Sequence, residues 1–208
     1  MIKEIIDAKL NYHKSSGKFG ISSIGSCWRK KYMEIKGSYK PQYNSKELRT
    51  FVIGDIFHRQ ACKELLEKAH QFDLNVVAAE VDIPEQKYIS GRADVILCNS
   101  KTQELFIVDV KSAGDWTLNK IKKGECPLHY ANQVQLYLHF FNIKRGYILF
   151  IGKHKGEIEE VQVDYNKELC EKLIHEIEDF YKNYVEKDIV PPICDGGQFG
   201  CEVCGIKK

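Results

Sequence analysis

The sequence predicts a mixed α/β fold, and three observations carry that expectation. Helical patterns come first, short β-branched runs follow, and helix, strand and helix close the order. The apolar spacing changes from helical to alternating near residue 76. No internal repeat or low-complexity linker interrupts the chain, so 208 residues read as one domain with a sizeable core.

In order, residues 2–14 and 26–35 are amphipathic helix candidates, and a loop rich in Gly, Ser, Tyr and Pro leads to a longer helix over 48–69. Runs at 77–83, 89–97 and 105–111, separated by Pro84-Glu85 and by Asn99-Ser100-Lys101, predict an antiparallel meander. A helix over 130–141 and an apolar strand over 147–151 form a crossover, which sets the strand parallel to a meander strand. Val161 and Val163 suit an edge strand. A helix over 167–186 ends before Pro191-Pro192, beyond which Gly and Cys dominate. The expected parts are a helical region to 70, a core over 76–165 and a final helix with a cysteine tail over 166–208.

Composition excludes several classes. No apolar run is long enough to span a bilayer, and residues 1–7 mix charge with apolar positions, unlike a secretory signal; a cytoplasmic protein without membrane contact is expected. Eight cysteines in that setting point away from disulfides and toward metal. A net charge of +2 is too small for a generally basic nucleic-acid binder, so any such contact must be local. Candidate patches are Arg29-Lys30-Lys31, Lys120 with Lys122-Lys123, Lys144-Arg145 and Lys153-His154-Lys155.

The candidate chemistry lies at the end of the third meander strand. Asp109 and Lys111, two apart, project from one face. A hairpin turn near 99–101 brings Asp94 opposite Asp109, and two neighbouring carboxylates invite Mg²⁺ or Mn²⁺. His58, in Gly54-Asp55-Ile56-Phe57-His58 of the long helix, offers a nitrogen ligand. Gln133 and Tyr137 stand four apart on the crossover helix and share a face, spaced to reach a common phosphate. Glu80, on the first meander strand, is a candidate additional acidic group, with an exposed strand residue as the favoured reading. Cys194, Cys201 and Cys204 gather near Gly196-Gly197 and Gly200, and the C-x-x-C spacing of the last two suits one metal centre lacking a fourth ligand. Cys62, Cys98, Cys126 and Cys170 read as small buried residues.

Taken in order, His58, Gly91 to Asp94, Asp109-Val110-Lys111 and Gln133 to Tyr137 resemble the PD-(D/E)XK nuclease superfamily in its RecB-like branch, over most of the chain. The resemblance implies a restriction-endonuclease-like mixed sheet flanked by helices. It assigns His58, Asp94, Asp109 and the Val110 carbonyl to a divalent metal, Asp94, Asp109 and Lys111 to catalysis, and Gln133 and Tyr137 to substrate. It also supplies Cys27 as the fourth thiolate with Cys194, Cys201 and Cys204, as in the CRISPR-associated Cas-four and AddB-type nucleases. The implied cofactor is an iron-sulfur cluster, 4Fe-4S ahead of 2Fe-2S, with zinc as the alternative.

The implied activity is hydrolysis of DNA phosphodiesters, single-stranded and 5′ to 3′ from an end, with endonuclease action in addition. Implied partners are DNA, a CRISPR integrase complex or the recombination proteins of a virus or mobile element, and further copies of the chain. Trp28, Tyr32, Trp116 and Tyr130 are candidates to stack on unpaired bases. The competing expectation is a non-catalytic nucleic-acid-binding module organised by zinc or iron-sulfur.

Overall fold

The computed structural model describes residues 17–196 and 201–206; the helix expected over 2–14 lies outside them. Strand β1 (Phe19–Gly20) leads through a 3-10 turn to helix α1 (Trp28–Ile35), whose N-cap is Cys27, its sulfur accepting from the Lys30 amide. Helix α2 (Ser45–Lys68) opens on a capping box in which the Asn44 side chain accepts from the Lys46 and Glu47 amides and Glu47 accepts from the Asn44 amide. That cap starts the helix at 45, ahead of the apolar pattern at 48.

Three strands follow. In β2 (Leu74–Asp82) exposure largely alternates, as expected for a strand with one face in water, and a bulge between Val76 and Ala78 resets its register. The short β3 (Ile89–Ser90) pairs with β1, and β4 (Arg92–Asn99) turns into β5 (Leu105–Ala113) around Asn99, whose side chain accepts from the Lys101 and Thr102 amides.

Helix α3 (Asp115–Ile121) was not expected; it is short, and buries only Leu118 and Ile121. Helix α4 (Leu128–Phe141) then carries the chain to β6 (Arg145–Gly152), followed by β7 (Ile158–Asp164) and α5 (Lys167–Phe180). The last helix yields to a π turn over Tyr181–Val185, ending the regular α pattern short of 186.

The sheet runs β2-β4-β5-β6-β7, antiparallel throughout except that β6 lies parallel to β5 across the α4 crossover. Two cores sandwich it. On one face Ile107, Ile148 and Phe150 meet Val134 and Leu138 of α4 and Ile177 of α5, and Trp28 sits between Phe19 and Phe180. On the other, Val95, Leu97, Val108 and Val110 lie under Ala61 and Cys62 of α2. Each such aliphatic side chain contributes about 1.5–3 kcal/mol by leaving water. Gln135 joins α4 to the α5 end, donating to the Asp164 carbonyl and accepting from the Asn166 amide. Among the described residues no helix is long and apolar enough to cross a membrane.

Candidate active site and thiolate centre

The ladder between β4 and β5 ends at Val95 opposite Val108. One position further, Asp94 stands opposite Asp109, and its Oδ2 accepts from the Val110 amide at 2.7 Å. On the other side of β4, Ala79 faces Val95 and Val81 faces Ala93, which sets Glu80 opposite Asp94. Glu80, Asp94 and Asp109 therefore form one row across three strands. Glu80 has a left-handed backbone, φ 51°, a conformation that costs a non-glycine residue about 1 kcal/mol or more.

Helix α2 reaches this row from the opposite face. His58 Nε2 lies 3.1 Å from Asp94 Oδ1 and 3.5 Å from Glu80 Oε1. Gly54, one turn before, makes that approach feasible, since a Cβ there would lie 3.0 Å from the Ser112 hydroxyl of β5. The hydrogen bond to Asp94, with a second contact to Cys62, holds the His58 imidazolium up to about 10.

Asp109 is fully buried. Gln133 Nε2 donates to its Oδ1 at 3.1 Å and to the Tyr137 hydroxyl at 3.3 Å. Lys111 Nζ forms an ion pair with Oδ2 at 2.7 Å, and Oδ2 has no other partner among the described residues. Burial above all, opposed by Lys111 and reinforced by Asp94, pushes the Asp109 carboxyl up to about 6. Asp109, Asp94 and His58 are carboxylate and imidazole donors of the kinds that a hard divalent cation takes.

Gln133 and Tyr137 do share a face, as their spacing predicts, but that face is turned inward and both are buried. Gly91 clears the space for Tyr137, since a Cβ there would lie 3.0 Å from its ring and 2.7 Å from Ile21. Lys111 Nζ is 5.8 Å from the centre of the Tyr130 ring, and burial together with Lys111 lowers the pKa of the adjacent His129. Of the aromatics considered for stacking, Tyr32 is buried and Trp28 is packed between rings, whereas Trp116 is exposed, with Lys120 Nζ 4.2 Å from its ring centre. Several members of the basic patches are ion-paired: Lys120 with Glu125, Lys122 with Glu157 and Glu159, and Arg145 with Glu104 and Asp164.

Solved structures of known proteins share this fold. The protein SSO0001 superposes with a TM-score of 0.57 at 22% identity over 88% of this chain and 87% of its own. The alkaline exonuclease LHK-Exo of Laribacter hongkongensis, in its complex with dAMP, gives 0.61 at 14% identity over 89% and 93%. The chain shares the fold of that exonuclease. A phage-related exonuclease of Haemophilus somnus gives 0.54 at 15% identity over 82% and 96%. No protein-family model and no curated protein matches the sequence.

At the far side of α1, Cys27, Cys194, Cys201 and Cys204 bring four sulfurs within 4.8 Å of one another, uniting the fourth ligand expected from the resemblance with the C-terminal three. Cys204 Sγ is 3.7 Å from Cys27 and 3.6 Å from Cys194. The Lys30 and Gly196 amides donate to Cys27 and Cys194, and the tail is turned by Gly205 at φ 70°. Burial, with the neighbouring thiols, pushes the Cys27 thiol up to about 12. Four thiols so packed fit a metal centre. The two separations at Cys204 are close to the roughly 3.8 Å edge of a tetrahedron with sulfur about 2.3 Å from one ion. A cubane, in which each thiolate takes a different iron, requires the sulfurs to spread.

Two residues near the row were read from sequence mainly as structural, Glu80 as an exposed strand residue and Cys62 as a small buried one. Glu80 is brought in by strand register, and Cys62 Sγ lies 3.7 Å from His58 Nε2. The i, i+4 spacing of His58 and Cys62 on α2 was the available signal for the latter.

Proposed function

We propose that the chain is a metal-dependent DNA nuclease of the RecB-like type. The observation that carries this is the buried Asp109, its Oδ2 partnered among the described residues only by the Lys111 ammonium, in line with Asp94 and Glu80 and with His58 reaching Asp94. Neighbouring buried carboxylates repel one another unless a cation neutralises them, which weighs against a non-catalytic binding module. The exonuclease fold of the compared structures agrees with the reading.

In this account His58, Asp94, Asp109 and the Val110 carbonyl hold Mg²⁺ or Mn²⁺, with Glu80 at the rim. A bound ion of this kind acidifies water, polarises the scissile phosphate and stabilises charge on the leaving oxygen. Asp94 is fixed by the Val110 amide, and Asp109 by Gln133, which Tyr137 backs. Lys111 keeps a positive charge beside the reacting phosphate, where the transition state gathers negative charge, and orients the attacking water. Gln133 and Tyr137 act on substrate through Asp109, being buried behind it. The exposed Trp116 is suited to stack on an unpaired base, which supports action on single strands.

Exonuclease action with 5′ to 3′ polarity, an added endonuclease capacity and a link to CRISPR integration or to viral recombination follow from the resemblance to the Cas-four type. The four-thiolate centre staples the C-terminal tail to α1; an iron-sulfur cluster is what the resemblance implies, while the sulfur spacing favours one zinc ion. The test is degradation of end-labelled single-stranded DNA with Mg²⁺ or Mn²⁺, with each end blocked in turn. Loss of degradation with chelator and in folded Asp109→Ala is expected; equal turnover by that variant overturns the reading.

A further inference from the structure

One thiol stands at the edge of the acidic row without a part in the chemistry above. Cys62 lies one helical turn beyond His58 on α2, buried against Val95 and Val110, and its sulfur is turned toward the imidazole at 3.7 Å. His58 Nε2, Cys62 Sγ and a Glu80 oxygen all lie within 4.8 Å of one another. We propose that His58, Cys62 and Glu80 form a second, softer metal site that takes Zn²⁺ and, by claiming His58, switches off the neighbouring hard-ion site.

The chemistry follows from the donor set. A thiolate, an imidazole and a carboxylate within this spacing suit Zn²⁺, whose ligands stand about 2.0–2.3 Å from the ion, and one position remains for water or for Asp94. Mg²⁺ and Mn²⁺ prefer oxygen and gain little from sulfur, so Cys62 discriminates between the two kinds of ion. On binding, the Cys62 thiol and the His58 ring each release a proton to solvent and donate an electron pair to the metal; nothing is oxidised or reduced. The left-handed Glu80 is the only one of the three on the exposed edge, which makes it the point of entry.

His58 is the shared member, and its nitrogen serves one metal at a time. Zn²⁺ held with Cys62 withdraws that nitrogen from Asp94 and Asp109 and sets a second cation beside them. The site itself stands on the three residues; the inhibitory consequence rests on the nuclease reading.

The experiment uses the full chain with its four-thiolate centre filled as isolated. Added Co²⁺ is the probe, because a thiolate ligand gives a sulfur-to-cobalt charge-transfer absorption that oxygen and nitrogen ligands do not. Wild type is expected to show this band on the first added equivalent, Cys62→Ser and Cys62→Ala to lack it, and Glu80→Gln to need more Co²⁺ to reach it. An identical band in the Cys62 variants, or none in wild type, overturns the site whether or not the protein cleaves DNA. In the cleavage assay with Mn²⁺, the Zn²⁺ concentration for half inhibition is expected to rise at least about tenfold in Cys62→Ser, since even outer-shell changes around a metal cost roughly 10–100-fold in affinity. Unchanged inhibition with the cobalt band lost would overturn the switch and leave the site.

Discussion

Replacing Asp109 with Asn is expected to stabilise the metal-free protein while abolishing cleavage. In the folded chain burial raises this carboxyl from 3.8 to about 6. At ~1.4 kcal/mol per tenfold change in proton affinity, that displacement corresponds to about 3 kcal/mol. Because the folded-state value lies above the unfolded one, the folded chain holds the proton longer as pH rises. The penalty is therefore absent below about pH 4, grows between 4 and 6 and is complete above 6. Asn has no charge to desolvate, and its carbonyl can still accept from Gln133. The gain falls short of 3 kcal/mol to the extent that Lys111 loses its anion, but the Lys111 side chain is 20% exposed and can turn toward water. Urea denaturation with chelator should show Asp109→Asn more stable than wild type at pH 7 and the difference closing toward pH 4. Saturating Mn²⁺ should reverse the order, since a ligand at a thousand times its Kd adds about 4.1 kcal/mol to a protein that binds it. A less stable variant at pH 7 without metal, or a pH-independent difference, would refute this reasoning.

Other perturbations give separate readings. Cys27→Ser removes a thiolate of the centre and should lower Tm by roughly 5 °C or more, with limited proteolysis cutting the released tail after Pro192; metal analysis of the wild type should find either iron with sulfide or one zinc per chain, and absence of both contradicts a metal centre. Gly91→Ala forces a Cβ to 2.7 Å from Ile21 and 3.0 Å from Tyr137, so a loss of about 1–3 kcal/mol in chemical denaturation is expected, accompanied by slower cleavage as Gln133 loses its backing. Trp116→Ala should weaken binding of single-stranded DNA by about 1–3 kcal/mol, with little change in the rate at saturation; fluorescence anisotropy measures it, and unchanged affinity removes Trp116 from the binding path.

Much of this was legible in the sequence because the decisive spacings are local. Asp109 and Lys111 share a strand face whatever the fold, and Asn99 makes the turn that sets Asp94 opposite Asp109. The crossover from β5 through α4 to β6 followed from two apolar runs and a helix between them. Glu80 was not legible, since its place depends on a bulge at Val76/Ala78 and a positive φ that no side-chain pattern announces. Nor was the inward turn of Gln133 and Tyr137: a shared helix face says which residues go together, and only the packing of α4 on the sheet says where that face points. Helix α3 escaped because seven residues with two buried positions carry too little periodicity.

The account rests on Lys111 acting on a phosphate beside a metal held by its neighbours. Single-turnover cleavage of 5′-labelled single-stranded DNA by Lys111→Ala, with Mn²⁺ binding measured in parallel, tests this directly. Metal affinity within a few-fold of wild type together with a rate at least about a hundredfold lower is the predicted result. A rate near that of wild type at equal metal occupancy would contradict the account.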